Sequence, residues 1–176
     1  MKLNLGSGRS GLAALNVISL DHIGWKSIDI CKDFDTNNGF FECYDISQGI
    51  RESDNSIEEI WMGDFFEHLL RLKAIFVMQE CHRVLQPNGR LRLSVPDMAK
   101  AMPLWLASEG EAQYQYSRLI WGEQDEMHQQ NSIPDSHFYG YTEKSLKKLI
   151  SSVGFNKVDR ISIHNVWFEL AIDAHK

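Results

Sequence analysis

The chain has 176 residues, 43% hydrophobic and 24% charged, a balance that fits one globular domain and excludes disorder, collagen-like repeats and low-complexity solenoids. A net charge of −6, from 18 basic and 24 acidic residues, argues against a surface that grips a nucleic-acid backbone, so nucleic acid is not expected as a partner. No apolar run is long enough to span a bilayer. Residues 1–6 lack the extended apolar segment of a signal peptide, and the expected location is the cytoplasm. The cysteines, Cys31, Cys43 and Cys81, are odd in number and show no C-x-x-C spacing. They are expected as buried thiols rather than as disulfides or zinc ligands.

Residues 2–5 read as a short buried strand running into Gly6-Ser7-Gly8-Arg9-Ser10-Gly11, with one or two helical turns at 12–15. Residues 25–30 and 40–45 are a second and a third strand, each with an acid near its carboxyl end, Asp29 and Asp45; 33–39 between them is turn-rich. A fourth strand spans 57–62. Leu70, Ala74, Val77, Met78, Cys81, Val84 and Leu85 then recur at helical spacing until Pro87-Asn88-Gly89 stops the helix. Residues 90–95 alternate and end at Pro96, which makes a fifth strand.

Asp97 is placed to cap a helical segment that Pro103 should kink or split. Residues 109–121 carry Ala112, Tyr116, Leu119 and Ile120 on one helical face. The polar stretch 122–141 has no period and reads as a functional lid or as disorder. Thr142 caps a last helix with Leu146, Leu149, Ile150 and Val153 inward and Gly154 at its end. Strands at 155–163 and 166–174 would meet at His164-Asn165 as a hairpin. The alternation of strands and helices predicts an α/β fold, a Rossmann-like, doubly wound, mainly parallel sheet with an antiparallel C-terminal hairpin at one edge. The whole chain, 1–176, is read as a single three-layer domain with a helical and loop cap at about 97–141.

Ligands of such sheets sit outside the carboxyl ends of the strands. Gly6 and Gly8 directly follow a strand, so backbone can approach a ligand there and present amides, as in a nucleotide cradle. Asp29 is an acceptor for ribose hydroxyls, and Asp45 for the exocyclic amine of adenine. Gly6-x-Gly8-x-x-Gly11 followed by Asp29 also satisfies the dinucleotide pattern literally, which keeps an NAD-binding oxidoreductase as one alternative. Against it, the chain is too short to add a substrate domain.

The sequence resembles the small class I methyltransferases that use S-adenosylmethionine, of the broad type-11 group. The resemblance rests on Leu3-Asn4-Leu5-Gly6-Ser7-Gly8, Gly24-Trp25-Lys26-Ser27-Ile28-Asp29, Tyr44-Asp45-Ile46, Ser56-Ile57-Glu58-Glu59-Ile60 and Phe66-Glu67-His68-Leu69. Farther along it rests on His82-Arg83-Val84-Leu85-Gln86-Pro87-Asn88-Gly89-Arg90-Leu91, Ser94-Val95-Pro96-Asp97, Tyr141-Thr142-Glu143 and Ser152-Val153-Gly154-Phe155. The resemblance implies a seven-stranded sheet with a reversed final strand. It also implies S-adenosylmethionine as cofactor and S-adenosylhomocysteine as product. By motif position, Leu5, Gly6, Ser7 and Gly8 would line the cofactor at its methionine part, Asp29 and Ile30 at the ribose, and Asp45 and Ile46 at the adenine. Met62 and Gly63 would border the methyl-transfer site. The chain departs from the family in carrying Asn4 and Leu5 where an acid is usual, and in having only a few residues before the first strand.

Methyl transfer needs an acceptor in line with the S–CH₃ bond, so the protein contributes position and electrostatics. A hydroxyl acceptor would profit from a base, whereas an amine or carboxylate need not have one. The candidates are Asp64 and His68, after the fourth strand, and His137 in the polar segment. No pair of histidines or cysteines shows ligand spacing, and no metal is assigned. Trp105, Tyr114, Tyr116, Trp121, Phe138, Tyr139 and Tyr141 suit either an acceptor pocket for a small molecule or the core of a small cap. An aromatic face of this kind also suits a homodimer partner. A cofactor-binding module without turnover is the remaining alternative.

Overall fold

Seven strands, β1 (Lys2–Leu5), β2 (Trp25–Asp29), β3 (Phe40–Cys43), β4 (Ile57–Gly63), β5 (Leu85–Pro96), β8 (Asn156–Ile161) and β9 (Glu169–His175), form one sheet. Their order is β3-β2-β1-β4-β5-β9-β8. The computed structural model describes residues 1–7, 24–30, 40–123, 135–162 and 168–176. Strands β1 to β5 are mutually parallel, and β9 runs antiparallel to both β5 and β8. The sequence predicts this mainly parallel sheet and its reversed C-terminal strand. The helical turns expected at 12–15, the turn-rich 33–39 and the hairpin tip at His164-Asn165 lie outside the described residues.

The central strands each turn an apolar row into the core on one face: Leu3 and Leu5 on β1, Ile60 and Met62 on β4, and Leu91, Leu93 and Val95 on β5 are all buried, while the alternate positions carry Asn4, Trp61, Arg92 and Ser94. Helix α1 (Arg71–Val84) adds Ala74, Val77, Met78, Cys81 and Val84 from the apolar stripe read from the sequence, whereas Leu70, read with them, is the exposed residue before the first turn. Arg83 fastens the end of that helix to the loop before β4, donating to the carbonyls of Ile50 and Glu52 and to the carboxylates of Glu80 and Asp54. This tie gives the His82-Arg83-Val84-Leu85 motif a physical reason.

The helix stops at Val84, before the Pro87-Asn88-Gly89 turn. Leu85 already has extended backbone and pairs with Ile57, and the residue preceding a proline resists helical backbone. The turn becomes an irregularity at the start of β5, with Asn88 at φ 65°. The third strand ends at Cys43 rather than Asp45, because Asp45 turns outward to cap a short 3₁₀ segment, Ile46–Gln48. Cys43, expected to be buried, is exposed at the end of edge strand β3, whereas Cys81 is buried; Cys31 lies outside the described residues.

Helices α2 (Met98–Ala107) and α3 (Gly110–Trp121) follow β5. Asp97 caps α2 by accepting from Ala99 N at 3.1 Å. Pro103 lies inside α2 without splitting it. The missing amide is offset by side-chain packing on α3: Trp105 and Trp121 meet edge to face at 5.1 Å, and Trp105 Nε1 donates to Ser117 Oγ at 2.9 Å. The stretch read as a functional lid or as disorder contains a two-stranded ribbon, β6 (Gly122–Glu123) with β7 (Asp135–Ser136); 124–134 lies outside the described residues. Helix α4 (Glu143–Ser152) has a capping box between Thr142 and Ser145 and buries Leu146 and Ile150. No helix among the described residues is long and apolar enough to cross a membrane.

Candidate functional site

Parallel pairing brings the ends of the first three strands to one rim. Gly6 N donates to Ile28 O at 2.9 Å and Ser7 N to the same carbonyl at 3.5 Å, while Tyr44 N donates to Asp29 O at 3.0 Å. The glycine loop is thereby fastened to the strand that carries Asp29, and Asp29 to the segment that carries Asp45. Gly6 has φ 66° and no room for a side chain, since a Cβ there would lie 2.1 Å from the Phe65 ring. Ser7 Oγ is buried and has no hydrogen-bond partner among the described residues. A polar ligand atom at the end of β1 would satisfy it. Gly8 lies outside the described residues.

Asp45 Oδ1 accepts from Ser47 N at 2.9 Å and Oδ2 from Gln48 Nε2 at 3.1 Å. Partial burial pushes its carboxyl pKa up, but these hydrogen bonds outweigh it and hold the group below the ordinary value. Ile46 is buried in the core, and Ile30 is 42% exposed beside Asp29. Leu5 and Met62 have no exposed surface, so they support the rim from beneath. Asn4, where the resembled family usually has an acid, is buried and donates to Ser27 Oγ at 3.3 Å.

At the end of β4, Gly63 sits under the Trp61 indole, which a Cβ would approach to 2.9 Å. Asp64 follows with φ 46°. Its amide donates to Ser94 O at 3.2 Å, and Ser94 Oγ donates to Asp64 Oδ1 at 3.4 Å. The third member of this group is Glu169, the first residue of β9. Burial pushes its carboxyl up to about 7, helped by the charge of Asp64 and a hydrogen bond with it, while Ser94 acts in the opposite direction. Sequence reasoning missed Glu169. It comes to the rim only because β9 runs antiparallel along β5, setting Glu169 opposite Pro96; the one sequence signal was an acid opening an apolar strand.

His68 and His137, distant in the chain, pack edge to face with ring centroids 4.8 Å apart. The amides of Phe138 and Tyr139 donate to Glu67 O at 2.8 and 3.3 Å, and His137 N donates to Trp121 O at 3.0 Å. His68 Nδ1 is 3.1 Å from Ser136 O; a carbonyl only accepts, so Nδ1 carries the proton and Nε2 the lone pair. Glu67 is buried next to them. Ligand atoms of Glu67, His68 and His137 all lie within 4.8 Å of one another, a convergence that spacing along the chain does not reveal.

The aromatic residues divide between two roles. Tyr141 is part of the main core, against Phe66 at 5.4 Å and Tyr139 at 5.0 Å, and burial raises its phenol pKa. Trp105 and Trp121 join α2 to α3, and Tyr116 packs on Phe168 at 5.7 Å. Tyr114 and Phe138 remain exposed.

No family model and no curated protein matches the chain. Solved structures do. An S-adenosylmethionine-dependent methyltransferase from Archaeoglobus fulgidus aligns with a TM-score of 0.68 at 14% identity, over 99% of this chain and 85% of that one. One from Aquifex aeolicus aligns with 0.61 at 14% identity, over 99% and 80%. The Burkholderia thailandensis 1,6-didemethyltoxoflavin-N1-methyltransferase, with bound 1,6-didemethyltoxoflavin and S-adenosylhomocysteine, aligns with 0.62 at 14% identity, over 99% and 70%. The likeness is one of fold: this chain has the class I, Rossmann-like methyltransferase fold.

Proposed function

We propose that the chain binds S-adenosylmethionine along the carboxyl ends of β1 to β4 and transfers its methyl group to a small-molecule acceptor, with S-adenosylhomocysteine as product. The observation that carries this reading is the fastening of Gly6-Ser7, Asp29 and Asp45 at three successive strand ends by main-chain hydrogen bonds. A likeness to methyltransferase folds over 99% of the chain adds support.

Backbone at Gly6, Ser7 and Gly8 would hold the methionine part, with the buried Ser7 hydroxyl gaining a partner. Asp29 and Ile30 would take the ribose, Asp45 and Ile46 the adenine, and Gly63, on its Met62 support, would border the reacting centre. When bound, the sulfonium supplies an activated methyl group and a neutral thioether leaving group. The chain needs no covalent intermediate of its own. Its residues orient the acceptor and handle a proton. Beside Ser94, burial and the neighbouring Asp64 raise the Glu169 carboxyl to about 7, within reach of neutral pH for proton handling, and His68, with its tautomer set by Ser136 O, offers Nε2. His137 lies beside it, so one acceptor hydroxyl can reach either imidazole.

Calorimetric titration with S-adenosylhomocysteine and, separately, with NADH tests the reading. Saturable heat with the first and none with the second is expected. The reverse would favour an oxidoreductase. Tight S-adenosylhomocysteine binding with no methylation across a panel of hydroxyl, amine and carboxylate acceptors would favour a binding module without turnover.

A further inference from the structure

We propose that Glu67, His68 and His137 form a binding site for a divalent first-row cation of the zinc class, which clamps the segment after β7 to the end of β4. Three observations meet here. First, two imidazoles and one carboxylate supply ligand atoms within 4.8 Å of one another. That donor set suits zinc or iron(II), whereas magnesium and calcium prefer oxygen alone. Second, His68 Nδ1 lies 3.1 Å from Ser136 O, so Nδ1 carries the proton and Nε2 is the nitrogen left with a lone pair for a cation. A carbonyl behind a metal-bound imidazole is the usual outer partner that fixes ring orientation.

Third, the frame is built before any ion arrives. Phe138 N and Tyr139 N are bonded to Glu67 O, and His137 N to Trp121 O, so the backbones bearing the ligands are already joined. The Glu67 residue is 2% exposed, and a buried carboxylate gains strongly from an adjacent cation. Tetrahedral zinc at ordinary bond lengths places its ligand atoms about 3.4 Å apart. From within 4.8 Å, the ligand atoms have at most about 1.4 Å to close. Three protein ligands leave a fourth position for water or an acceptor oxygen.

The site stands independently of methyl transfer, and its test reads metal binding rather than turnover. Imidazoles engaged by a cation are no longer free bases, which would leave proton handling to Asp64 and Glu169.

The full chain, stripped with a chelator and desalted, is titrated with Zn²⁺ alone by calorimetry and with Co²⁺ alone by visible absorption. One equivalent bound at micromolar concentration, with d–d bands of a low-coordinate cobalt site, is expected. His137→Ala and His68→Ala should each weaken binding by more than about 100-fold, beyond the loss typical of outer-shell changes. His82→Ala, remote from the cluster, should not. To separate ligand loss from a loss of fold in either histidine variant, Glu67→Gln provides a second reading; it keeps the shape and should also weaken Zn²⁺ binding, with the circular dichroism unchanged. Failure of the wild-type chain to bind either metal at micromolar concentration overturns the proposal. So does undiminished binding in folded His137→Ala or Glu67→Gln.

Discussion

Gly6 lies directly beneath the Phe65 ring, close enough that a Cβ would sit 2.1 Å from it. The residue that follows β1 and the residue two beyond β4 thus fit together only because one of them has no side chain. Gly6 also carries φ 66°, a region that costs other residues about 1–2 kcal/mol. Gly6→Ala is therefore expected to lower stability by about 2–3 kcal/mol, the backbone penalty plus overlap with the ring. In a Phe65→Ala background only the backbone part should remain, about 1–2 kcal/mol. Urea unfolding of the four proteins reads the difference. Equal losses in both backgrounds would mean that the ring yields freely, and the glycine would then be needed for its dihedral alone.

Asp64 and Glu169 make stability depend on pH in a definite direction. The Glu169 carboxyl is raised by burial and by Asp64 to about 7, above the ordinary value near 4.3 of an unfolded glutamate. Between those values the native chain holds a proton that the unfolded chain has released, so the Glu169 contribution is complete below about pH 4.3 and is lost as pH rises through about 7. Glu169 is only partly buried and Asp64 is exposed, so solvent reduces the effect to on the order of 1–2 kcal/mol. Glu169→Gln should remove this loss, narrowing the stability difference between pH 5 and pH 8. Melting curves across that range would show it. A Glu169→Gln protein with the wild-type slope would place the proton elsewhere.

The order of strands and helices was legible because each strand is an apolar run ended by a turn residue, and because Thr142 and Asp97 are caps whose function is local. The rim formed by Gly6, Asp29 and Asp45 was legible for the same reason, as each acid follows its own strand. Glu169 and the pairing of His68 with His137 were not. Their neighbours are set by an antiparallel register and by bonds from the Phe138 and Tyr139 amides to Glu67 O, long-range facts that leave no period in the sequence. At Pro103 a local rule predicts a kink or a split; α2 is not split, and Trp105 beside it contacts Ser117 and Trp121 on a neighbouring helix.

Arg160 reaches from β8 to the start of α2, where its Nη2 donates to Asp97 Oδ2 at 2.9 Å. Asp97 is 1% exposed, and its other oxygen caps α2 through Ala99 N. Arg160→Met would leave that carboxylate buried with one charge-assisted partner fewer, a loss of about 2–3 kcal/mol given that the arginine is itself partly solvated. Adding Asp97→Asn to Arg160→Met should recover part of the loss, since the amide still caps the helix and carries no charge. Thermal unfolding of the single and double variants tests this. A single variant as stable as wild type would make the ion pair incidental.

The two rim acids should both report on cofactor binding. Asp45 is held by Ser47 N and Gln48 Nε2, so Asp45→Ala removes a cap as well as the proposed ligand contact, and stability should fall by about 1 kcal/mol together with affinity for S-adenosylhomocysteine. Asp29 ends β2, where its backbone pairs with β3 and accepts from Tyr44 N. Asp29→Ala is expected to weaken S-adenosylhomocysteine binding by about 1–3 kcal/mol, the worth of hydrogen bonds to a charged acceptor. Calorimetry paired with urea unfolding reads both effects. Unchanged affinity in a folded Asp29→Ala protein would remove the ribose from this strand end, and with it the reading of the rim as a nucleoside cradle.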